Sequence, residues 1–289
     1  MTFQKITLFL CLCVFSFSFH SDLYAAPSLT LKAKSAILIN AANGKVLYAK
    51  NSDRQMPPAS LTKILTLYLV HEAMNKGQIC PSDLVKVSAD AYFTDGSSMY
   101  LDEGAEVELG NLIRGIAIAS ANDASVAVAE HLGGDMASFV KMMNAKARKL
   151  GMQKSHFVNP NGLPAKGQTS TARDLGKLAR AYIRDFPKSL DTHTSQTFTY
   201  RNITQTNQNV LLKNYPHVDG LKTGFVRAAG FHLIATARRG DTRLIAVVMG
   251  EKNPQIRARE AALLLDKGFR LVKGGENASP NIHTRPRNN

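Results

Sequence analysis

A serine and a lysine, Ser60 and Lys63, stand three residues apart at the start of an apolar stretch that continues to Leu69. Pro57 and Pro58 precede them, and the apolar residues recur at helical spacing, so the pattern predicts a buried helix beginning at Ser60. Residues three apart share one face of a helix. Burial disfavours the ammonium form of a lysine, and a neutral amine beside a hydroxyl can remove its proton. The pair therefore predicts a nucleophilic serine with its own base.

Two further motifs supply groups that such a nucleophile needs. Ser120 and Asn122 form an S-x-N motif at a predicted helix start, a position that holds short polar side chains in place. Lys222, Thr223 and Gly224 form a K-T-G motif within a predicted strand. A second ammonium near the first lysine would lower its pKa further, and a glycine lets a substrate approach the strand backbone. S-x-x-K and S-x-N each occur twice, but only one set runs in the order S-x-x-K, S-x-N, K-T-G.

These motifs must be positioned by elements from widely separated parts of the chain. Asn43 and Gly44 mark a hairpin, and Gly240 with Asp241 would turn two later strands antiparallel. The patterns predict strands over residues 36–40, 45–49, 83–88, 98–101, 220–226, 231–238 and 243–250. Helices are predicted from Ser60 and over residues 109–119, 122–133, 135–150, 171–186 and 254–272. Strands at both ends predict an α/β (α+β) fold, an antiparallel sheet from both chain ends flanked by helices, with an inserted helical block.

The N-terminal residues predict export. Residues 1–26 combine an early lysine, an apolar run and small residues before Pro27, the three-part pattern of a cleaved signal peptide. One folded domain is predicted over residues 27–272, followed by a disordered polar tail over residues 273–289. A periplasmic or secreted protein is therefore expected. Once the signal is removed, Cys80 is the only cysteine, so no internal disulfide is expected.

Composition and charge restrict the partners. Hydrophobic residues make up 44% of the 289 residues, which is enough for a sizeable core. The net charge of +14 favours contact with anionic polymers, but the basic residues are scattered rather than interleaved with aromatics, so no nucleic acid is expected. No metal or other cofactor is expected. His71 and Glu72 begin a metallopeptidase-like pair, but Asn75 occupies the place of the second histidine.

The order of the three motifs resembles that of penicillin-binding proteins and class A β-lactamases. Across residues 34–272 the chain resembles the D-alanyl-D-alanine carboxypeptidases, low-molecular-mass penicillin-binding proteins that trim peptidoglycan stem peptides. The similar segments are A-A-N-G-K-V-L-Y, P-P-A-S-L-T-K, D-G-S-S-M-Y-L, A-S-A-N-D-A-S, F-V-N-P-N-G-L, T-A-R-D-L and H-V-D-G-L-K-T-G-F. The resemblance implies a β-lactamase/transpeptidase-like fold.

The resemblance also implies a set of site residues. The catalytic residues would be Ser60, Lys63 and Ser120, and the substrate-binding residues Asn122, Lys222, Thr223, Gly224 and Phe225. Ser60 would attack the carbonyl between two D-alanines with Lys63 as base, and β-lactams would acylate the same serine as covalent inhibitors. The backbone N–H groups of Ser60 and Phe225 would form the oxyanion hole.

The remaining groups would bind the substrate and move protons. Ser120 would relay a proton with Lys222, and Asn122 would hold the peptide of the substrate. Lys222 and Thr223 would bind the terminal carboxylate. Where some members carry a histidine after K-T-G, this chain has Phe225, so the role of that side chain stays open.

Several alternatives remain. The size of the chain is close to that of the short D,D-endopeptidases, which cut peptide cross-links with the same site. At most loose membrane association is expected. A β-lactamase is disfavoured because no glutamate lies between residues 131 and 250 and no tryptophan occurs. A non-catalytic wall-binding protein would not need Lys63.

Overall fold

The structure, a computed structural model, describes residues 29–276. The predicted signal peptide at residues 1–26 and most of the predicted tail lie outside the described residues. From Lys32 onward, the described residues belong to one compact unit. None of the helices within residues 29–276 combines the length and the apolar character that crossing a membrane requires.

The described chain alternates strands near its two ends with helices in between. The helices are α1 (Lys63–Asn75), α2 (Ala89–Tyr92), α3 (Leu109–Arg114), α4 (Asn122–Gly133), α5 (Met136–Lys149), α6 (Ala172–Asp185), α7 (Leu190–His193), α8 (Leu211–Asn214) and α9 (Pro254–Glu276). The strands are β1 (Ser35–Asn40), β2 (Val46–Lys50), β3 (Leu84–Lys86), β4 (Glu106–Glu108), β5 (Thr197–Tyr200), β6 (Ile203–Thr206), β7 (Val218–Val226), β8 (Gly230–Arg239) and β9 (Thr242–Glu251).

Both chain ends contribute to one antiparallel sheet, which confirms the predicted architecture. Its order is β2-β1-β9-β8-β7, so the last strand along the chain lies between the first hairpin and the K-T-G strand. Val247 at the centre of β9 pairs with Ile37 of β1 on one side and with Ile234 of β8 on the other. The β7 strand with the K-T-G motif therefore forms one edge of the sheet.

Helices cover both faces of this sheet. A Cβ atom at Gly176 of α6 would lie 3.3 Å from Ile39, and one at Gly268 of α9 would lie 2.7 Å from Leu38 and 2.6 Å from Leu244. Since successive residues of a strand point to opposite faces, α6 and α9 pack closely on opposite sides. Burial on both faces explains why the central strands read as continuous apolar runs in the sequence.

The predicted helix after the two prolines is confirmed, with a different first turn. Residues Ala59–Thr62 form a 3-10 turn, and α1 begins at Lys63. All residues from Lys63 to Val70 are buried, so α1 is surrounded by protein on every side. Ser60 thus lies on a tight turn at the buried end of a central helix.

One predicted strand is absent, and one hairpin was not predicted. The carboxylate of Asp123 accepts hydrogen bonds from the backbone N–H groups of Met99 and Leu101 and from the Ser98 hydroxyl, so residues 98–101 form a loop without a strand partner. The β5–β6 hairpin pairs T-F-T-Y with I-T-Q-T, two short segments rich in β-branched and aromatic residues, a strand signal that the sequence-based prediction missed. The last helix continues beyond residue 272 to Glu276.

Candidate functional site

The serine and the lysine of the first motif are in direct contact. The Nζ atom of Lys63 lies 3.0 Å from the Oγ atom of Ser60. Lys63 is completely buried, whereas Ser60 is partly exposed. A substrate can therefore reach the hydroxyl while the amine behind it is shielded from water.

Two further contacts determine which protonation state suits Lys63. Its Nζ atom lies 2.6 Å from the Asn122 Oδ1 atom and 2.6 Å from the backbone carbonyl oxygen of Asn161. Both oxygens can only accept hydrogen bonds. A neutral amine has two N–H donors and one lone pair, so these two acceptors would leave the lone pair for the Ser60 hydroxyl. The geometry thus fits an unprotonated lysine that accepts the proton of Ser60.

Electrostatics favours the same protonation state. Burial holds the pKa of Lys63 well below its ordinary value, and the positive charge of Lys222 lowers it further, while Asp123 opposes both effects. Lys222 is itself buried, and burial with the charge of Arg257 lowers its pKa to about 7. The charge of the lysine in the third motif therefore acts on the lysine of the first.

The S-x-N motif is positioned by an irregular helix end. The predicted helix over residues 109–119 is α3 followed by a π-helical segment, Gly115–Ala119, which ends at Ser120 in the left-handed conformation with φ 63°. Such segments often occur at functional sites. Ser120 is buried, and within residues 29–276 its hydroxyl makes no hydrogen bond. Its expected relay with Lys222 stays a prediction.

Asn122 is held by the loop between α2 and β4. Its Nδ2 atom donates to the Asp95 carbonyl oxygen at 2.6 Å, and its backbone N–H donates to the Ser97 carbonyl oxygen at 2.7 Å. Gly96 has φ +90°, and a Cβ atom there would lie 2.7 Å from Asn122 Nδ2. Because the amide nitrogen is committed to this loop, the amide oxygen is directed at Lys63. The family resemblance implies that Asn122 holds the substrate, and the structure shows that its side chain also contacts Lys63.

The K-T-G strand lies directly beside Ser60. A Cβ atom at Gly224 would lie 3.2 Å from the Ser60 backbone nitrogen, so any other residue would have to push β7 and the Ser60 turn slightly apart. Lys222 Nζ donates to the Thr223 carbonyl oxygen at 3.2 Å. Phe225 follows with its side chain 54% exposed, and its ring centroid lies 4.4 Å from that of Phe231.

A cavity of about 350 Å³ opens beside this strand. It is lined mainly by apolar side chains, with one cation at its edge. The lining residues include Val210, Gly224, Phe225, Phe231, Pro254 and Arg257. The Arg257 guanidinium is buried, and its Nε atom has no hydrogen-bond partner among the described residues.

Two contacts around the Ser60 turn were not found from the sequence. Ala59 has φ 51°, and its carbonyl oxygen would overlap a Cβ atom at Gly162, which itself has φ +84°. The composition of Asn159-Pro160-Asn161-Gly162 is typical of a turn, but nothing in it indicates that the turn packs against Lys63. These contacts join residues about a hundred positions apart, and a single sequence carries no signal for them.

A buried histidine links the sheet to the chain before the nucleophile. His232 Nδ1 accepts from the Gly250 backbone N–H at 2.9 Å, so Nε2 carries the proton and donates to the Pro57 carbonyl oxygen at 3.1 Å. Burial lowers the pKa of His232 to about 4, which keeps the ring neutral. The histidine therefore has a positioning role near the site.

The comparisons with known proteins agree with this geometry. The D-alanyl-D-alanine carboxypeptidase family model matches residues 22–253. D-alanyl-D-alanine carboxypeptidase DacC of Escherichia coli (strain K12) is 43% identical over 86% of this chain and 63% of its own length. The chain thus spans less than two thirds of that relative.

Solved structures show the same fold. Penicillin-binding protein 6B from Escherichia coli superposes with a TM-score of 0.81 at 41% identity, covering 86% of this chain and 80% of its own. Penicillin-binding protein D2 from Listeria monocytogenes, in its ampicillin-bound form, gives 0.77 at 33% identity, covering 84% of this chain and 100% of its own. The predicted transpeptidase-like fold is confirmed, and the chain belongs to the D-alanyl-D-alanine carboxypeptidase family.

Proposed function

We propose that the protein is a serine-type D-Ala-D-Ala carboxypeptidase that acts on peptidoglycan stem peptides through an acyl-enzyme. The observation that carries this proposal is the contact between Ser60 Oγ and a fully buried Lys63, whose other hydrogen bonds go to two acceptors. Such an arrangement serves a nucleophile with its own base and has no purpose in a protein that only binds. The family of the chain supports the same reaction.

The first step forms the acyl-enzyme. The neutral Lys63 amine takes the proton of Ser60, and the oxygen forms a bond to the carbonyl carbon between the two D-alanines. The backbone N–H groups of Ser60 and Phe225 stabilise the negative charge that develops on the carbonyl oxygen. The C–N bond then breaks, and the terminal D-alanine leaves with a proton. A water molecule next hydrolyses the ester and restores the free serine.

The terminal carboxylate of the substrate supplies specificity in this scheme. Lys222 and the Thr223 hydroxyl bind the carboxylate, and Gly224 allows the substrate to lie along β7. Thr223 Oγ1 lies 3.4 Å from Gln208 Oε1, a weak contact that a carboxylate could replace. Ser120 passes a proton between Lys222 and the leaving amine. A β-lactam has both a carboxylate and a reactive amide, so it acylates Ser60 in the same way.

The second candidate reaction is hydrolysis of peptide cross-links. The acylation step is identical, and only the leaving amine is larger. The cavity of about 350 Å³ beside Gly224 supports this alternative because it leaves room for a larger amine on the side of the carboxylate-binding residues. In either case the enzyme acts outside the cytoplasm, in the periplasm or as a secreted protein, at most loosely attached to the membrane and without nucleic acid.

Two measurements test the proposal. Purified protein incubated with labelled penicillin should give an adduct that mass spectrometry places on Ser60, and a protein that forms no adduct would contradict the proposal. Incubation with a pentapeptide monomer and a cross-linked dimer then separates the two reactions. Free D-alanine from the monomer indicates a carboxypeptidase, whereas monomers released from the dimer indicate an endopeptidase.

A further inference from the structure

Large aromatic side chains are exposed on the loop that holds Asn122. Tyr92 is 47% exposed and Phe93 72% exposed at the end of α2, and Tyr100 is 57% exposed where the loop returns. The rings of Tyr92 and Phe93 meet edge to face with centroids 4.8 Å apart, so they form one surface. Exposed apolar surface of this kind often marks a binding site, because leaving it in water is unfavourable.

The aromatic pair is connected to the catalytic lysine by a short path. Lys63 Nζ lies 2.6 Å from Asn122 Oδ1, and Asn122 Nδ2 donates to the Asp95 carbonyl oxygen at 2.6 Å. Phe93 lies only two residues before Asp95 along the chain. Two residues of extended chain cover about 7 Å at most, and with the two hydrogen bonds and the Asn122 amide between them Phe93 begins within roughly 17 Å of the catalytic amine.

This upper limit is comparable to the length of a stem peptide. About four residues separate the scissile bond from the sugar to which the stem is attached, and in extended form they cover roughly 13 to 14 Å. We propose that Tyr92 and Phe93 form an aromatic platform that binds the glycan strand carrying the stem peptide. The inference rests on the proposed function, because it places a further part of the same substrate.

The charge of the loop beside the platform disfavours an anionic partner. No lysine or arginine occurs between residues 87 and 113, whereas six carboxylates do, in a protein whose net charge is +14. An anionic polymer or an anionic lipid surface would be repelled from this loop, although the rest of the surface attracts it. A glycan strand offers uncharged sugar rings whose C–H faces pack on aromatic rings, and the Tyr92 hydroxyl can hydrogen-bond with sugar hydroxyls.

The test compares two substrates that share the scissile bond. Tyr92→Ala combined with Phe93→Ala should raise KM about fivefold or more for a disaccharide-linked pentapeptide strand and leave its kcat unchanged. Turnover of the free pentapeptide should stay within about twofold of the unchanged protein. The matched control is Leu271→Ala, which removes a side chain of similar exposure, 47%, near the far end of α9, and it should change neither substrate.

Two results would overturn the platform. One is an equal loss on both substrates, which would mean that the substitutions disturb Asn122. The other is an unchanged KM for the glycan-linked strand. Two single substitutions separate the ring from its apolar area. Phe93→Leu keeps apolar area without a ring and should raise KM for the glycan-linked strand, whereas Phe93→Tyr keeps the ring and should leave this KM at the value of the unchanged protein. Penicillin labelling of the unchanged protein separates this proposal from the proposed function, since labelling does not depend on the platform.

Discussion

The side-chain amine of Lys63 lies 2.6 Å from the backbone carbonyl oxygen of Asn161, a residue 98 positions further along the chain. The contact is made by the backbone, so substitution of the Asn161 side chain leaves the acceptor in place. The second acceptor, Asn122 Oδ1, belongs to a side chain and can be removed. The two asparagines are both buried and both contact the same amine, so they form a matched pair for mutagenesis.

Replacement of Asn122 should change the acidity of Lys63. Asn122→Asp would place a carboxylate about where the amide oxygen lies, 2.6 Å from Lys63 Nζ, and would stabilise the ammonium form. It also loses the donor to the Asp95 carbonyl oxygen, so the shift of the acid limb is the decisive readout. We expect the rate of acylation by labelled penicillin at pH 7 to fall by about 100-fold, and its acid limb to move to higher pH. Stopped-flow or quench measurements from pH 5 to 9.5 would show both changes.

Asn161→Ala is the control for this substitution. It retains the carbonyl acceptor, so the pH at which acylation is half-maximal should match that of the unchanged protein, although stability falls by about 1 kcal/mol because the side chain no longer accepts from the Leu163 backbone N–H. An acid limb that stays in place in Asn122→Asp would contradict the role assigned to Lys63.

The pH profile of substrate turnover should be bell-shaped. In the proposed mechanism Lys63 acts as the neutral amine, and its pKa is lowered well below the ordinary value, so we expect activity to be lost only when the pH falls through that lowered pKa. Lys222 acts as the ammonium with a pKa of about 7, so kcat/KM for a carboxylate substrate should decline above about pH 7. Lys222→Arg keeps its charge at all these pH values and should move the decline to higher pH. A kcat/KM that rises steadily to pH 9.5 in the unchanged protein would exclude this assignment.

The sequence could predict most of the fold because local patterns specify it. The hairpin at Asn43 and Gly44, the long amphipathic α6 and the apolar β7–β9 meander each carry strong local signals, and their positions near the two chain ends imply one sheet. The strand predicted at residues 98–101 failed for a long-range reason. Its N–H groups are used by the carboxylate of Asp123, a contact without local signature.

The site could be predicted in its motifs but not in its geometry. The order of the motifs predicts that Lys63 and Lys222 belong to one site, and the buried helix predicted around Lys63 indicates a lowered pKa. The backbone acceptor at Asn161, the loop that orients Asn122 and the glycine beneath the Ser60 turn were missed. The contribution of a backbone carbonyl or a glycine depends on the path of the folded chain, and residue types alone do not reveal this path.

Gly162 should be essential because of space as well as conformation. Its φ of +84° costs an alanine about 1–2 kcal/mol, and the new Cβ atom would also overlap the Ala59 carbonyl oxygen. We expect Gly162→Ala to lower the free energy of unfolding by at least ~3 kcal/mol and to displace Ser60. Gly151 has a similar φ of +73°, but a Cβ atom there would meet open space. The free energy of unfolding of Gly151→Ala should therefore fall only by the conformational cost. If urea denaturation shows that both variants lose the same free energy of unfolding, the overlap with the Ala59 carbonyl oxygen is relieved at no cost.

A buried pair of glutamates should make stability depend on pH. Burial, together with the neighbouring Glu260 carboxyl, raises the pKa of Glu251 to about 7, and the Lys252 backbone N–H and the charge of Lys50 oppose this rise. Glu251 Oε1 is buried without a hydrogen-bond partner among the described residues, and a proton held between the two carboxyls supplies one. Glu260 also accepts from the backbone N–H groups of Lys32 and Ala33, so the pair fixes the start of the compact unit.

The sign of the effect follows from which state holds the proton. Between about pH 4.5 and 7 the folded protein keeps the Glu251 proton that the unfolded chain releases, so the free energy of unfolding falls as the pH rises through this window, by on the order of 1–3 kcal/mol. Glu251→Gln cannot ionise and still offers a donor to Glu260, so its urea midpoint should lose this decline. Glu260→Gln gives up one acceptor for Lys32 or Ala33 and should be less stable at every pH. If Glu251→Gln keeps the slope of the unchanged protein, the decline arises from other groups and the shared proton is disproved.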